Sequence, residues 1–76
     1  MTKEQLYAES MHAIFEKPRY WTNGQAIYNF IQAKYHVADM IRDDYGVDCF
    51  HEDDEISNFL NLAYEIINKK QDERGN

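Results

Sequence analysis

Residues 54–69 read DEISNFLNLAYEIINK, and their apolar residues recur as Ile56, Phe59, Leu60, Ala63, Ile66 and Ile67. That is the three-and-four spacing of one helical face, with Asn58, Asn61, Glu65 and Asn68 outside it. Asp53 or Asp54 stands where an N-cap is needed, and Asp53, Asp54 and Glu55 suit the positive end of a helix. Lys69 and Lys70 suit its negative end. The stretch therefore predicts a helix over residues 54–69. A helix with one apolar stripe has to bury that stripe against other elements.

Three further segments have the same period. In the first, over residues 2–16, Thr2 and Gln5 form a T-x-x-Q capping box, and Met1 and Leu6 occupy staple positions. Tyr7, Met11, Ile14 and Phe15 are its expected inner face. Pro18 ends it, because the residue before a proline is pushed out of the α region. Thr22 and Gln25 form a second capping box that opens a helix over residues 23–35. Trp21 sits at its N′ position against Ala26, and Ile27, Phe30, Ile31 and Lys34 run along its face. Asn23-Gly24 resembles a turn signal, but inside a capping box it reads as the first helical turn. A short helix over residues 36–44 turns Val37, Met40, Ile41 and Tyr45 inward. Gly46 suits a left-handed position just after it. No Gly or Pro separates the second helix from the third, so the two could fuse into one bent helix. No segment alternates as a strand would. The expected fold is all-α: a small bundle of three main helices plus one short helix. Residues 1–70 form a single domain, and residues 71–76 a disordered tail with nothing to bury.

Charge is distributed unevenly. Residues 39–55 hold eight of the fourteen acids (Asp39, Asp43, Asp44, Asp48, Glu52, Asp53, Asp54, Glu55) and one base, Arg42. The rest of the chain is close to neutral. Such a balance opposes binding to phosphates, which needs clustered Lys and Arg, so direct nucleic-acid binding is not expected. Adsorption to anionic lipid is opposed for the same reason. No apolar run approaches the roughly 20 residues that span a bilayer, and no signal peptide is visible at the start. The single Cys49 allows no internal disulfide, which fits a cytoplasmic setting. In 76 residues there is little room for both a core and an elaborate cleft.

Chemistry-bearing patterns are sparse. Cys49, His51 and Asp53 are spaced i, i+2, i+4, but a structural zinc site needs a second ligand pair, and none follows. The acidic run does not supply the D-x-[DN]-x-[DN]-G loop of an EF-hand. No G-x-S-x-G, P-loop or G-x-G-x-x-G occurs. No catalytic residue, metal site or cofactor is expected. Gln25 and Asn29 lie i, i+4 at the edge of the apolar face of the second helix. Their amides could hydrogen-bond the backbone of the 47–52 loop, with Phe50 plugged into the core. Asp43 and Asp44 fall in the last turn of the short helix, where acids oppose the negative helix end. Helix stability does not explain them.

The pieces Gly24-Gln25-Ala26-Ile27-Tyr28-Asn29, Ala38-Asp39-Met40-Ile41-Arg42, Asp48-Cys49-Phe50, and Asp54-Glu55-Ile56 with Phe59-Leu60 occur in this order. The chain thereby resembles a group of very short phage and prophage proteins that read G-Q-x-x-x-N, A-x-x-I-R, D-x-F and D-x-x-I-x-x-F-L. The resemblance covers about residues 19 to 60. It departs where Thr22 replaces an Arg common two residues before the Gly-Gln, near His36, where a common Pro is missing, and in the aspartate loop. The resemblance implies a phage setting and an all-helical fold, and no mechanism.

These readings converge on a non-enzymatic interaction protein, in the host cytoplasm if phage-encoded. Its protein partner would meet the acidic region through Asp43, Asp44, Asp48 and Glu52, with Tyr20, Tyr28 and Tyr64 as exposed aromatics. One alternative is a homodimer or assembly component with the aromatics as interface. Another is a DNA mimic that inhibits a host DNA-binding protein.

Overall fold

The computed structural model describes residues 1–75, with the side chains of residues 1–69. Four α-helices and one 3-10 turn make an all-α bundle, with no strand among the described residues. The first helix, α1, runs Lys3–Glu16. Thr2 caps it, its Oγ1 accepting the Gln5 N–H at 3.1 Å. Lys17, just before Pro18, is extended at φ −64°, ψ 154°, as the proline demands. Helix α2 runs Asn23–Tyr35 with both halves of its capping box formed.

Helices α2 and α3 are separate. His36 divides them at φ 60°, ψ 31°, a left-handed conformation, and donates its N–H to the carbonyls of Ile31 and Gln32. A non-glycine residue there costs about 1–2 kcal/mol, and no Gly or Pro announces the break. Helix α3 runs Ala38–Tyr45, starting two residues later than expected. The Gln32 side chain reaches over from α2 and accepts the Asp39 N–H at 3.1 Å, capping α3. Gly46 takes the expected left-handed position at φ 71°. The chain then passes through a loop to a 3-10 turn, Asp53–Glu55, and into α4, Ile56–Gly75. The first turn expected for this helix is thus the tighter 3-10 form. The expectation of a disordered tail over residues 71–76 falls where side chains lie outside the described residues.

The core is one cluster drawn from all four helices and the loop: Leu6, Ile27, Tyr28, Ile31, Val37, Ala38, Ile41, Cys49, Phe59, Leu60, Ala63 and Ile67. The α4 stripe enters it as read, and Phe59 is the largest side chain fully removed from water. Two inward assignments are corrected. The buried residues of α1 are Leu6 and Ser10, whereas Met11 is 61% and Phe15 91% exposed. Phe15 follows Leu6 by nine residues, about 180° around the helix, so the two cannot share a face. Tyr45, at the end of α3, is 54% exposed.

Polar ties complete the packing. Buried Ser10 donates its hydroxyl to the Leu6 carbonyl at 2.9 Å. Glu9 of α1 accepts from the Tyr35 hydroxyl at 2.6 Å and from Lys34 Nζ at 3.0 Å, which clamps α1 to the end of α2. Tyr7 donates to Asn61 Oδ1 at 3.2 Å and joins α1 to α4.

Candidate functional site

The acidic segment starts as α3, turns at Gly46 and returns to the first turn of α2. The meeting point is Gly24. Its N–H donates to Asp53 Oδ1 at 3.0 Å, and its carbonyl accepts from Cys49 Sγ at 3.4 Å. A Cβ at position 24 would stand 1.8 Å from the Cys49 carbonyl oxygen. Only glycine permits this approach of loop to helix. Asp53 therefore caps α2 across space, beside the local cap from Thr22, and places a carboxylate on the positive helix end. The expectation that Asp53 caps the last helix is corrected accordingly.

Cys49 is fully buried. Burial, then the nearby Asp48 carboxylate, push its thiol up to about 12. It is a neutral donor, not a thiolate. Asp48 shapes the loop itself. Its Oδ1 accepts the Phe50 N–H at 2.9 Å, and its Oδ2 lies 2.7 Å from His51 Nδ1. The bond to His51 is the main reason its carboxyl sits below the usual range, with the Phe50 N–H adding to it. Phe50 is half-buried and presents its ring edge-on to Tyr28 at 5.6 Å.

Tyr28 is not an exposed contact residue: it is 6% exposed and belongs to the core. Its hydroxyl donates to Asp39 Oδ1, and the Arg42 guanidinium lies 5.8 Å from its ring centre. Burial first, then the bond to Asp39, push the phenol well above its ordinary range. Tyr64 is likewise partly buried against the core; Tyr20 is 84% exposed.

The two helix-2 amides do not hold the loop. Gln25 turns back to accept the Thr22 N–H at 3.0 Å. Asn29 lines the opposite side, a groove of about 370 Å³ between α1 and α2 whose walls include Ala13, Pro18, Trp21 and Phe30. The loop is fastened by Gly24, Cys49, Asp48 and Asp53, and of these only Asp48 was singled out as a site residue. The signal for Gly24 was present: a glycine inside a helix weakens it and calls for a reason, such as a close backbone approach.

The remaining acids face water. Asp43 pairs with Arg42 Nε at 3.0 Å, and Asp39 lies 3.8 Å from the same guanidinium. Arg42 is thus already engaged, and among the described residues Asp44, Glu52 and Asp54 have no cationic partner. The possible zinc ligands diverge: Cys49 faces the core, Asp53 faces Gly24 and His51 is 75% exposed. Among the described residues, no three His, Cys, Asp or Glu side chains are grouped to hold a metal, and no helix is long and apolar enough to cross a membrane.

The protein is thus a small all-α bundle whose acidic segment is half structural and half exposed. No family model matches the chain, and no curated protein or solved structure matches it either.

Proposed function

We propose that the protein is a non-enzymatic interaction module whose exposed acids on α3 and the 3-10 turn receive a basic segment of a partner protein. The observation that carries this reading is the set of exposed carboxylates on Asp44, Glu52 and Asp54, which have no counter-charge among the described residues. Complementary charge of this kind steers encounter and selects the partner more than it adds affinity. Asp43 joins the surface, and its tie to Arg42 is an exposed ion pair of the weak kind that a partner's base can replace. Asp48 drops out of the contact set, because its two oxygens are engaged in the loop. The non-catalytic part of the reading is supported by the buried, protonated Cys49 and by the structural bonds that occupy Asp39, Asp48 and Asp53. The phage resemblance adds a setting, the cytoplasm of a bacterial host, in which the partner would be a host or phage protein.

The test is the triple variant Asp43→Asn, Asp44→Asn, Glu52→Gln. A partner captured by the native protein should be lost with the variant and released by added salt, while the circular-dichroism spectrum stays native. Undiminished capture of the same partner by the folded triple variant rules out the acidic surface.

A further inference from the structure

The outer face of α1 carries a projecting aromatic and, two turns earlier, a depression of matching character. Phe15 projects with 91% of its surface exposed. The depression is lined by Lys3, Glu4, Tyr7, Ala8 and Met11. Residues 4, 7, 8 and 11 stand at i, i+3, i+4 and i+7, the four-residue hole that receives a knob from a facing helix. Ala8 at its floor is small and Tyr7 and Met11 form apolar walls. In α1 itself Phe15 lies beyond the hole and cannot fill it. A second copy can.

We infer that two copies of this chain pair through α1, antiparallel about a two-fold axis near Met11, with each Phe15 seated in the other copy's hole. The axis follows from the numbering. A knob at 15 over a hole centred between 7 and 8 places the midpoint close to 11, so the two Met11 side chains meet there. Such an isologous pairing uses each knob and each hole once and closes on itself. Charge favours the same direction. The antiparallel register brings Glu4 toward the other copy's Lys17–Arg19 turn. A parallel pairing would set Glu4 beside Glu4. Opposed helix dipoles add to the preference. The surface is independent of the acidic region, so this pairing and the partner contact proposed above stand or fall separately.

The pairing helix has 14 residues, so the interface is short and the dimer weak. Sedimentation equilibrium should be run up to about 0.5 mM, where a Kd near 0.1 mM still leaves most chains paired. The native chain should approach twice its 9.1 kDa mass, and Phe15→Ser should raise Kd by at least about tenfold with an unchanged helical spectrum, since Phe15 touches little in the monomer. A cysteine pair fixes the register. Met11→Cys should oxidise to a covalent dimer, whereas Lys3→Cys should not, because antiparallel copies hold those positions about 25 Å apart at 1.5 Å per residue. Buried Cys49 stays out of the reaction. A native chain that remains monomeric at 0.5 mM, a dimer indifferent to Phe15→Ser, or equal cross-linking at positions 3 and 11 would each overturn the proposal.

Discussion

Replacing Gly24 with alanine tests the attachment of the acidic loop more directly than removing any charge. The added Cβ would stand 1.8 Å from the Cys49 carbonyl oxygen, 2.9 Å from its carbonyl carbon and 2.8 Å from Asp53 Oδ1. Packed interiors do not absorb such overlap, so the loop has to withdraw by more than about 1 Å. Withdrawal weakens both bonds at Gly24, the donation to Asp53 and the acceptance from Cys49. Each stranded polar group costs about 1–3 kcal/mol. Against this, alanine is the better helix former by about 1 kcal/mol. The net loss is about 1–5 kcal/mol, centred near 3 kcal/mol. In a domain of this size each kcal/mol moves Tm by about 4–8 °C, so at the centre of that range thermal melting followed at 222 nm should fall by more than about 10 °C. Gly46→Ala is the control. Gly46 is left-handed at φ 71° with nothing within 4 Å, so its substitution meets only the backbone cost of about 1–2 kcal/mol. If Gly24→Ala melts like the native protein, or no lower than Gly46→Ala, the close approach does not fasten the loop.

Asn29→Ala should shift stability by less than about 0.5 kcal/mol, since Asn29 lines an open groove; a loss above about 1 kcal/mol would restore its loop-holding role. Phe59→Ala, in contrast, should cost about 3–5 kcal/mol in a denaturant melt, because Phe59 is fully buried. Asp48→Asn should flatten the acid limb of the stability profile. The native carboxyl is depressed by His51 and the Phe50 N–H, so its contribution is present above the unfolded aspartate range near pH 4 and is lost as pH falls through the lower folded value. An unchanged acid limb would remove Asp48 from the loop's support. At the alkaline end, Tyr28 and Cys49 are both raised. The unfolded chain releases those protons first, so stability holds below about pH 8.5 and declines above it, through the thiol and then the phenol. Cys49→Ser should shift the onset of that decline upward, and native stability that stays level to pH 11 would contradict the burial of both groups.

How far the chain could be read depended on what kind of force shaped each part. The α2 boundaries were legible because Thr22 and Gln25 form a local, reciprocal cap. The α4 stripe was legible because Ile56, Phe59, Leu60, Ala63, Ile66 and Ile67 keep the helical period, with Asn58, Asn61, Glu65 and Asn68 outside it. The α1 face was not, because Leu6, Tyr7, Met11, Ile14 and Phe15 spread over about half the helix circumference. Any face chosen leaves apolar residues outside, and the residue that marks the true one is Ser10, a polar side chain that satisfies itself on the Leu6 carbonyl. Helix α2 ends at Tyr35 as expected, but whether it fuses with α3 stayed open, because no Gly or Pro marks the break. His36 makes the left-handed turn itself, a conformation uncommon for a residue other than glycine.

The acidic segment shows why a charge count is a poor guide to a binding surface. Read as a run, its eight acids look equivalent. In the fold they divide by what the neighbouring backbone needs. Asp53 caps α2, Asp48 closes the loop turn and Asp39 receives the Tyr28 hydroxyl. Each of these satisfies a donor that would otherwise face the core or a helix end unpaired. Asp44, Glu52 and Asp54 satisfy no such donor, and Asp43 holds only an exposed arginine. Of these, Asp43 and Asp44 repel each other and oppose the negative end of α3, so they lower the stability of the isolated fold. That cost falls away when a cationic surface docks. The prediction follows that neutralising Asp43 and Asp44 together raises Tm slightly, while neutralising Asp48 or Asp53 lowers it. Opposite signs within one acidic run would separate the carboxylates that build the loop from those free to meet a partner, and a loss of stability at all four positions would dissolve the distinction.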